Sequence, residues 1–179
     1  MKIVDRIKVK IRGTINLEQL KKDGLKIGKN FNVQEGCIID PGHCWLIKIG
    51  DNVTLAPNVH ILAHDASTKI PLGYTKIGKV KIGNNVFIGA GSIILPGVTI
   101  GDNVIIGSMS LVTKNLKSNC VYGGNPCKKI MGYDEFVEKH KDKMTNAYKF
   151  DENYTISNID EEKKEEMNKK LENGMGYIR

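Results

Sequence analysis

Aliphatic residues recur at every sixth position along much of the chain. The repeat begins at Ile27 and ends at Val112, and it is broken twice, after Ile39 and after Ile61. A helix has a period of 3.6 residues and a strand a period of 2, so neither element alone produces this count. The pattern therefore predicts a repeat architecture. The twelve positions are Ile27, Val33, Ile39, Ile49, Leu55, Ile61, Ile82, Ile88, Ile94, Ile100, Ile106 and Val112.

The fourth position of each six-residue block indicates how the blocks are joined. Ten of the twelve are Asn or Gly, and the exceptions are His64 and Met109. Asn and Gly enter the left-handed backbone region at the lowest steric cost, so each block is interpreted as a short strand closed by a tight corner. Three blocks make one triangular coil, and stacked coils make a parallel β-helix. The fold class predicted is thus an all-β solenoid.

Both ends of the chain depart from this rhythm. The stretch NLEQLKKDG places Asn16 and Gln19 at capping-box spacing before Gly24, which predicts a short helix. The segments YDEFVEKHKDKM and DEEKKEEMNKKLENG have helical periodicity with charges of alternating sign. The predicted division is an N-terminal cap over residues 1–26, the β-helix over 27–131 with a loop at 67–81, and a C-terminal helical extension over 132–179.

One histidine stands out by its place in the pattern. His64 occupies a fourth position, where Asn or Gly would cost less by about 1 kcal/mol. The non-repeating loop at 67–81 follows almost at once, and loops of this length in compact folds are usually functional or disordered. An off-pattern histidine beside an excursion from the coil predicts an active site.

Composition and charge exclude several classes of protein. No apolar run reaches the roughly 18 residues of a membrane span, and the first residues, MKIVDRIKVKIRG, lack the apolar core of a secretory signal, so a cytoplasmic location is expected. The four cysteines show no C-x-x-C spacing, which favours free thiols. Residues 1–131 hold 18 Lys or Arg and 8 Asp or Glu, which favours an anionic partner. Aromatic residues make up only 6% of the chain and do not alternate with the basic ones, which argues against nucleic acid.

The second half of the repeat region resembles the hexapeptide-repeat acyltransferases. The resemblance is carried by IGNNVFIGAGSIILPGVTIGDNVIIG, then VTK, then GGNPCKKI. Within that family the chain is most similar to the galactoside, maltose and xenobiotic acetyltransferase branch, particularly the O-acetyltransferases of bacterial surface-polysaccharide clusters. The resemblance implies coils that wind left-handed, an exception to the right-handed crossover rule, and a homotrimer with active sites between subunits.

The resemblance also implies a chemistry. Acetyl-CoA is the acyl donor, no metal takes part, and His64 is the general base in a direct ternary-complex transfer to a hydroxyl of a sugar or glycan. Lys128 and Met131 stand where relatives often carry Arg, so the chain departs from the family at the nucleotide end of the coenzyme. The residues that match the family's coenzyme contacts are Ala90, Ser108, Thr113, Lys114 and Lys128.

Three further residues are candidates on the acceptor side. Asp40 stands roughly where relatives place a carboxylate that hydrogen-bonds sugar hydroxyls, or it is a turn residue before Pro41. Trp45, the only tryptophan, stacks on a sugar face or packs at a subunit contact. Asp65 orients the His64 ring or begins the loop.

Three other functions are alternatives to O-acetylation. The same machinery serves N-acetylation of an amino sugar or a xenobiotic. A γ-type carbonic anhydrase is also a left-handed β-helix, but it binds zinc with three histidines, and His60 and His64, four positions apart, do not present that spacing. A non-catalytic β-helix scaffold would bind no coenzyme.

Overall fold

The structure is a computed structural model that describes residues 15–179. Residues 1–14 of the predicted N-terminal cap lie outside the described residues. The chain divides into two compact units, of which the first ends at Tyr133 and the second comprises Asp134–Arg179.

The repeat region forms short strands that enter three sheets in turn. Along the chain they are β1 (Lys26–Ile27), β2 (Asn32–Val33), β3 (Ile38–Ile39), β4 (Ile47–Ile49), β5 (Val53–Leu55), β6 (His60–Ile61), β7 (His64–Asp65), β8 (Lys76–Ile77), β9 (Val80–Ile82), β10 (Val86–Ile88), β11 (Ile93–Ile94), β12 (Thr99–Ile100), β13 (Val104–Ile106), β14 (Leu111–Val112), β15 (Cys120–Gly123) and β16 (Lys128–Gly132). The first sheet has the order β1-β4-β9-β12, the second β2-β5-β10-β13-β15 with β16 antiparallel at its edge, and the third β3-β6-β11-β14. Three consecutive strands therefore make one coil, as the six-residue count predicts.

The aliphatic positions superpose from coil to coil. In the first sheet Ile49 is paired with Ile27 on one side and with Ile82 on the other. All twelve predicted positions join one hydrophobic core, in which only Ile27 and Val33 of the first coil are half-buried. A second buried row lies two residues earlier in each block, and the count of six does not reveal it. Its valines are Val53, Val59, Val80, Val86, Val98 and Val104.

The corners confirm the role given to asparagine and glycine. Positive φ is found at nine of the twelve fourth positions, which are Asn30, Gly36, Asn52, Asn58, Asn85, Gly91, Gly97, Asn103 and Met109. At the corner between the first and second sheets, each asparagine side chain donates to the next at 2.8 to 2.9 Å, in a ladder that comprises Asn30, Asn52, Asn85, Asn103 and Asn119. The side chains that permit the corner thus also bind one coil to the next.

His64 does not adopt the corner conformation that its fourth position predicts. It is absent from the positive-φ residues of the described chain and lies in β7, which pairs antiparallel with β8. The interpretation of His64 as a strained corner is therefore wrong, because the chain leaves the coil before the corner is made. The excursion also has other bounds than 67–81, since it begins at His64 and the coil resumes in β9 at Val80.

The excursion is a small ordered structure. After β7 come a 3-10 turn (Ala66–Thr68) and helix α2 (Lys69–Leu72), and β8 then closes the loop against β7. Gly78 N donates to Ala63 O at 2.9 Å, which ties the end of the loop to its start.

The predicted N-terminal helix is present as α1 (Leu17–Lys22). Asn16 Oδ1 accepts from the Gln19 backbone N–H at 3.1 Å, and Gly24 has a φ of 105°. The Gln19 side chain donates to Asp23 Oδ1 at 2.9 Å, so only one half of the predicted capping box forms. Leu20 is buried in the core of the first unit.

The C-terminal extension is helical, as predicted. It contains α3 (Tyr133–Thr145) and α4 (Glu161–Lys170), and the second unit adds a parallel pair of short strands, β17 (Lys149–Phe150) and β18 (Tyr177–Ile178). The alternating charges form exposed ion pairs within the helices. Within residues 15–179, no helix is both long enough and apolar enough to cross a membrane.

The stacked core predicts a position-specific stability effect. Ile100 is 1% exposed and its neighbour Thr99 is exposed on the same strand. We expect Ile100→Ala to lower the free energy of unfolding by about 3 kcal/mol, because it leaves a cavity between coils. Thr99→Ala is the control and should change it by no more than about 0.5 kcal/mol. Urea unfolding followed by circular dichroism measures both, and equal effects would contradict the assignment of the two faces.

Candidate active site

Two insertions into the coil occur at the same corner. The step from Ile39 to Ile49 is ten residues and that from Ile61 to Ile82 is 21, where a regular block has six. Both insertions leave the coil after a strand of the third sheet and return to the first sheet. Because adjacent coils stack in register, adjacent insertions at one corner lie against each other.

Asp40, which begins the first insertion, is a buried acid. Its Oδ1 accepts from the backbone N–H groups of Gly42 and His43 at 3.0 and 3.2 Å. Its Oδ2 accepts from the Ala63 N–H at 2.9 Å and lies 2.5 Å from Nδ1 of His64. Burial alone would raise the pKa of this carboxyl, but the hydrogen bonds from His64, Ala63 and Gly42 outweigh burial and lower the pKa below its ordinary value. Asp40 is therefore ionised at neutral pH.

This contact determines the tautomer of His64. A carboxylate only accepts hydrogen bonds, so Nδ1 carries the proton and Nε2 of the neutral ring has a free lone pair. The His64 side chain is 39% exposed, and no hydrogen bond occupies Nε2 among residues 15–179. This is the geometry of a histidine general base, in which an acid binds Nδ1 and the free Nε2 can accept a proton.

A second histidine and the tryptophan extend this pair toward the surface. The ring of His43 lies 5.0 Å from the ring of His64 on one side and 5.3 Å from the Trp45 ring on the other. Nδ1 of His43 is buried, has no hydrogen-bond partner among residues 15–179, and lies 3.9 Å from Asp40 Oδ1. The indole is 55% exposed. His64, His43 and Trp45 thus form a row of rings that leads from the buried acid to solvent.

The same residues have the composition of a metal site. Ligand atoms of Asp40, His43 and His64 lie within 4.8 Å of one another. Zinc binds nitrogen and oxygen at about 2.0 to 2.2 Å in a tetrahedron, which keeps its ligand atoms about 3 Å or more apart. His64 Nδ1 and Asp40 Oδ2, at 2.5 Å, are closer than that and are instead joined by a hydrogen bond. His60 lies on the outer face of β6 and is not part of this cluster.

Asp65 serves the loop rather than the ring. Its carboxylate forms an ion pair with Lys76 at 2.6 Å and accepts from the Ser67 N–H at 2.9 Å. These two contacts hold the pKa of Asp65 well below its usual range. Of the two roles predicted for Asp65, the contacts match the one that begins the loop. The acid at the His64 ring is Asp40, which sequence reasoning placed on the acceptor side.

Two of the coenzyme candidates share a corner. Ala90 and Ser108 each follow a strand of the second sheet, in neighbouring coils. A Cβ on Gly89 would lie 2.5 Å from Ser108 N, so the two coils approach closely here and admit no larger residue. Ala90 is half-buried and Ser108 is exposed. Both residues therefore contribute to the surface at this corner, which we call the strip.

The remaining coenzyme candidates lie elsewhere on the first unit. Thr113 and Lys114 follow β14, Lys128 begins β16, and all three are exposed. Within the part of the chain that the structure describes, the polar and ring contacts of His64 are to Asp40 and His43, and to none of the five coenzyme candidates.

Comparisons with known proteins identify the repeat. Residues 79–114 match the family model described as Bacterial transferase hexapeptide (six repeats). Protein CapG of Staphylococcus aureus is 50% identical over 99 residues, covering 53% of this chain and 58% of the relative. Galactoside O-acetyltransferase of Escherichia coli is 37% identical over 113 residues, covering 59% and 53%. The chain therefore spans little more than half the length of these relatives.

Solved structures give the same result. A maltose O-acetyltransferase from Clostridium difficile 630 superposes with a TM-score of 0.54 at 46% identity, covering 61% of this chain and 59% of that one. A galactoside acetyltransferase in complex with coenzyme A superposes with a TM-score of 0.58 at 36% identity, covering 64% and 58%. These matches confirm the resemblance to the hexapeptide-repeat acyltransferases.

The ionised acid predicts a pH-dependent stability. Because the pKa of Asp40 is lowered on folding, its stabilisation is present above the unfolded pKa of about 3.9 and is lost as the pH falls through the lower folded value. We expect Asp40→Asn to lower the free energy of unfolding by about 2 kcal/mol at pH 7. The difference from wild type should shrink below about pH 4.

Urea titrations at pH 7, 4 and 3 measure this difference. Asp142→Asn, which changes an exposed aspartate of α3, is the control and should cost little at any of these pH values. A constant penalty for Asp40→Asn from pH 7 to 3 would show that Asp40 is not ionised in the folded protein.

Proposed function

We propose that this chain, whose repeats match the bacterial hexapeptide transferases, is an acetyl-CoA-dependent O-acetyltransferase acting on a hydroxyl of a sugar or surface glycan. The observation that carries the proposal is the pair formed by buried Asp40 and half-exposed His64. The galactoside and maltose O-acetyltransferases among the similar proteins support the donor and the class of acceptor. Left-handed winding of the coils and a cytoplasmic location belong to the same proposal.

In the proposed reaction His64 acts as the general base. Its Nε2 accepts the proton of the acceptor hydroxyl while the hydroxyl oxygen attacks the thioester carbonyl carbon. The C–S bond then breaks, and the imidazolium returns the proton to the departing thiolate. Because the ring is cationic between these two transfers, the ionised carboxylate of Asp40 at Nδ1 stabilises it and keeps it oriented. No Ser or Cys nucleophile takes part, so the transfer is direct.

The donor is assigned to the strip at Ala90 and Ser108. Extended pantetheine has amide groups that pair with backbone N–H and C=O, and small side chains let it approach the coils. The backbone N–H near Ala90 is the candidate donor to the developing oxyanion. Thr113 is also assigned to contact the coenzyme. Lys114 and Lys128 supply positive charge for the phosphates of the coenzyme.

The site is completed by a second copy of the chain. None of the coenzyme candidates contacts His64 within one described chain, so we place the donor on a neighbouring subunit of a homotrimer. The excursion supports this arrangement, because Ile70, Leu72 and Tyr74 are 97%, 66% and 81% exposed in the single chain. A neighbouring subunit would remove these apolar groups from water.

The base predicts a large loss of turnover. We expect His64→Asn to lower kcat by about 10² to 10⁴-fold, because proton removal from the acceptor is lost. His60→Asn is the matched control, since His60 lies on the outer face of β6 and should leave turnover unchanged. Thiol release from acetyl-CoA is measured against a panel of neutral, acidic and amino sugars, and the acylated atom of each product is identified by NMR. Unchanged turnover in His64→Asn would refute the mechanism, and products acylated only on nitrogen would replace O-acetylation by N-acetylation.

The shared site predicts complementation between inactive variants. His64→Asn lacks the base, and Ser108→Trp blocks the donor strip, so each trimer alone should be inactive. When equal amounts are unfolded and refolded together, a subunit with an intact donor strip meets a neighbour with an intact His64 at roughly a quarter of the interfaces. We expect about a quarter of wild-type turnover in the mixture. Activity no higher than that of the separate variants would contradict a site between subunits.

A further inference from the structure

A column of lysines runs along the outer face of the first sheet. Lys26 of β1, Lys48 of β4 and Lys81 of β9 are direct partners in neighbouring parallel strands. All three are exposed, and none of them belongs to an ion pair within residues 15–179. Neighbouring strands are about 4.8 Å apart, and like charges directly opposite each other destabilise a sheet. The column therefore concentrates positive charge on a sheet face that supplies no negative charge to balance it among the described residues.

The column is one wall of a groove of about 190 Å³. This volume is several times the ~30 Å³ that one water takes up in the liquid, so the groove holds more than a single ion. Among residues 15–179, the lining contains four lysines and no acidic residue. Its residues are Lys26, Trp45, Leu46, Ile47, Lys48, Lys79, Val80 and Lys81.

Two ring contacts connect the groove to the proposed base on the same chain. Trp45 lines the groove and contacts the His43 ring at 5.3 Å, and His43 in turn contacts the His64 ring at 5.0 Å. Both insertions that build the base return to the first sheet at β4 and β9, the strands that carry Lys48 and Lys81. The charged groove and the base are thus built by the same two segments.

We propose that this groove binds the charged group of the acceptor, so that the acceptor is a saccharide that carries a carboxylate or a phosphate. The inference rests on the proposed function and narrows its substrate class. The exposed indole of Trp45 offers a flat apolar face for a sugar ring, while the lysines bind the anion at the ring's edge. An anion between Lys48 and Lys81 would be attracted to both ammonium groups and would offset their mutual repulsion. Anion binding thus explains why the column carries no compensating charge of its own.

The coenzyme has other positive charges available. Lys114 and Lys128, assigned to its phosphates, do not line the groove. The rings of Trp45 and His43 connect the groove to the His64 of its own chain, whereas in the proposed trimer the donor strip serves the His64 of a neighbour. We therefore assign the groove to the acceptor.

The test measures binding without acetyl-CoA, by calorimetry with galactose, galacturonate, galactose 1-phosphate and UDP-galactose. We expect at least one charged ligand to bind about tenfold or more tightly than galactose, and its affinity to fall as salt rises from 50 to 500 mM. Galacturonate and galactose 1-phosphate separate a carboxylate from a phosphate as the source of the charge. The double variant Lys48→Gln/Lys81→Gln should lose about tenfold in affinity for the charged ligand, while Lys48→Arg/Lys81→Arg retains it.

Lys117→Gln is the control for the loss of a positive charge. Lys117 is exposed and lies outside the groove. It comes directly after Leu116, which forms an isolated β-bridge with Ile100. Trp45→Ala should weaken binding of the charged sugar by several-fold and leave inorganic phosphate binding unchanged, because phosphate has no ring to stack.

With acetyl transfer to the same sugars measured alongside binding, four outcomes separate this inference from the proposed function. Equal affinity for galactose and all charged ligands overturns the groove assignment. Equal acetyl transfer to neutral and charged sugars also overturns the groove assignment, but it leaves the acetyltransferase proposal intact. A loss of coenzyme A affinity in Lys48→Gln/Lys81→Gln as large as the loss for the sugar also overturns it, because the groove then serves the donor. Lysine-dependent binding of a charged sugar without any acetyl transfer supports the groove and refutes the proposed function.

Discussion

Parallel pairing in register is the constraint on which the rest of this structure depends. Each strand meets the strand one coil away with the same side chain at the same height, so Ile27, Ile49 and Ile82 form one row inside the coil. The same rule places asparagine on asparagine at a corner and lysine on lysine outside. It also gives insertions a fixed place. Two loops that leave adjacent coils at the same corner must touch, and this contact brings residues 24 positions apart within 2.5 Å.

The register of the coils also holds the charge of Asp40 at a place from which water is excluded. A carboxylate that is 1% exposed costs several kcal/mol in desolvation unless it is well paired. Asp40 receives three backbone N–H bonds and one bond from the His64 ring, and hydrogen bonds to a charged group are worth about 1.5 to 3 kcal/mol each. The donors lie at the bases of the insertions, where the coil holds them. His64 is therefore oriented by the scaffold itself, while the mobile tip of a loop would have left the ring free to turn.

The sequence predicts the coil well because its signal is periodic. Aliphatic residues at every sixth position and Asn or Gly at the corners are local, repeated choices that agree with the global fold. The helices α1, α3 and α4 are also predictable from the sequence, since caps and charge spacing are local features. The second inward row was missed, because two of its members are Ser92 and Ser110, whose buried hydroxyls break the apolar pattern.

The site was predictable only in part. The break in the pattern points to His64 as a candidate, but the strained corner that the same pattern predicts is wrong, since β7 leaves the coil without a corner. Asp40 was recognised as a candidate but not as the partner of the ring. Its role follows from the stacking of two insertions, which no local pattern displays. The sequence does hold a clue to this contact, because the acid Asp40 and the imidazole of His64 each stand within three residues of a third-sheet strand.

The pair that joins the first and second insertions limits how such a chain can lengthen or shorten in evolution. A solenoid grows by whole turns, because each turn contacts only its neighbours and a new one needs no redesign of the others. Turns added beyond β14, or before β1, would leave the acid and the imidazole in place. A turn added between β3 and β6 would separate them by about 4.8 Å and abolish their contact. At this junction, therefore, the length of the solenoid and its chemistry cannot vary independently.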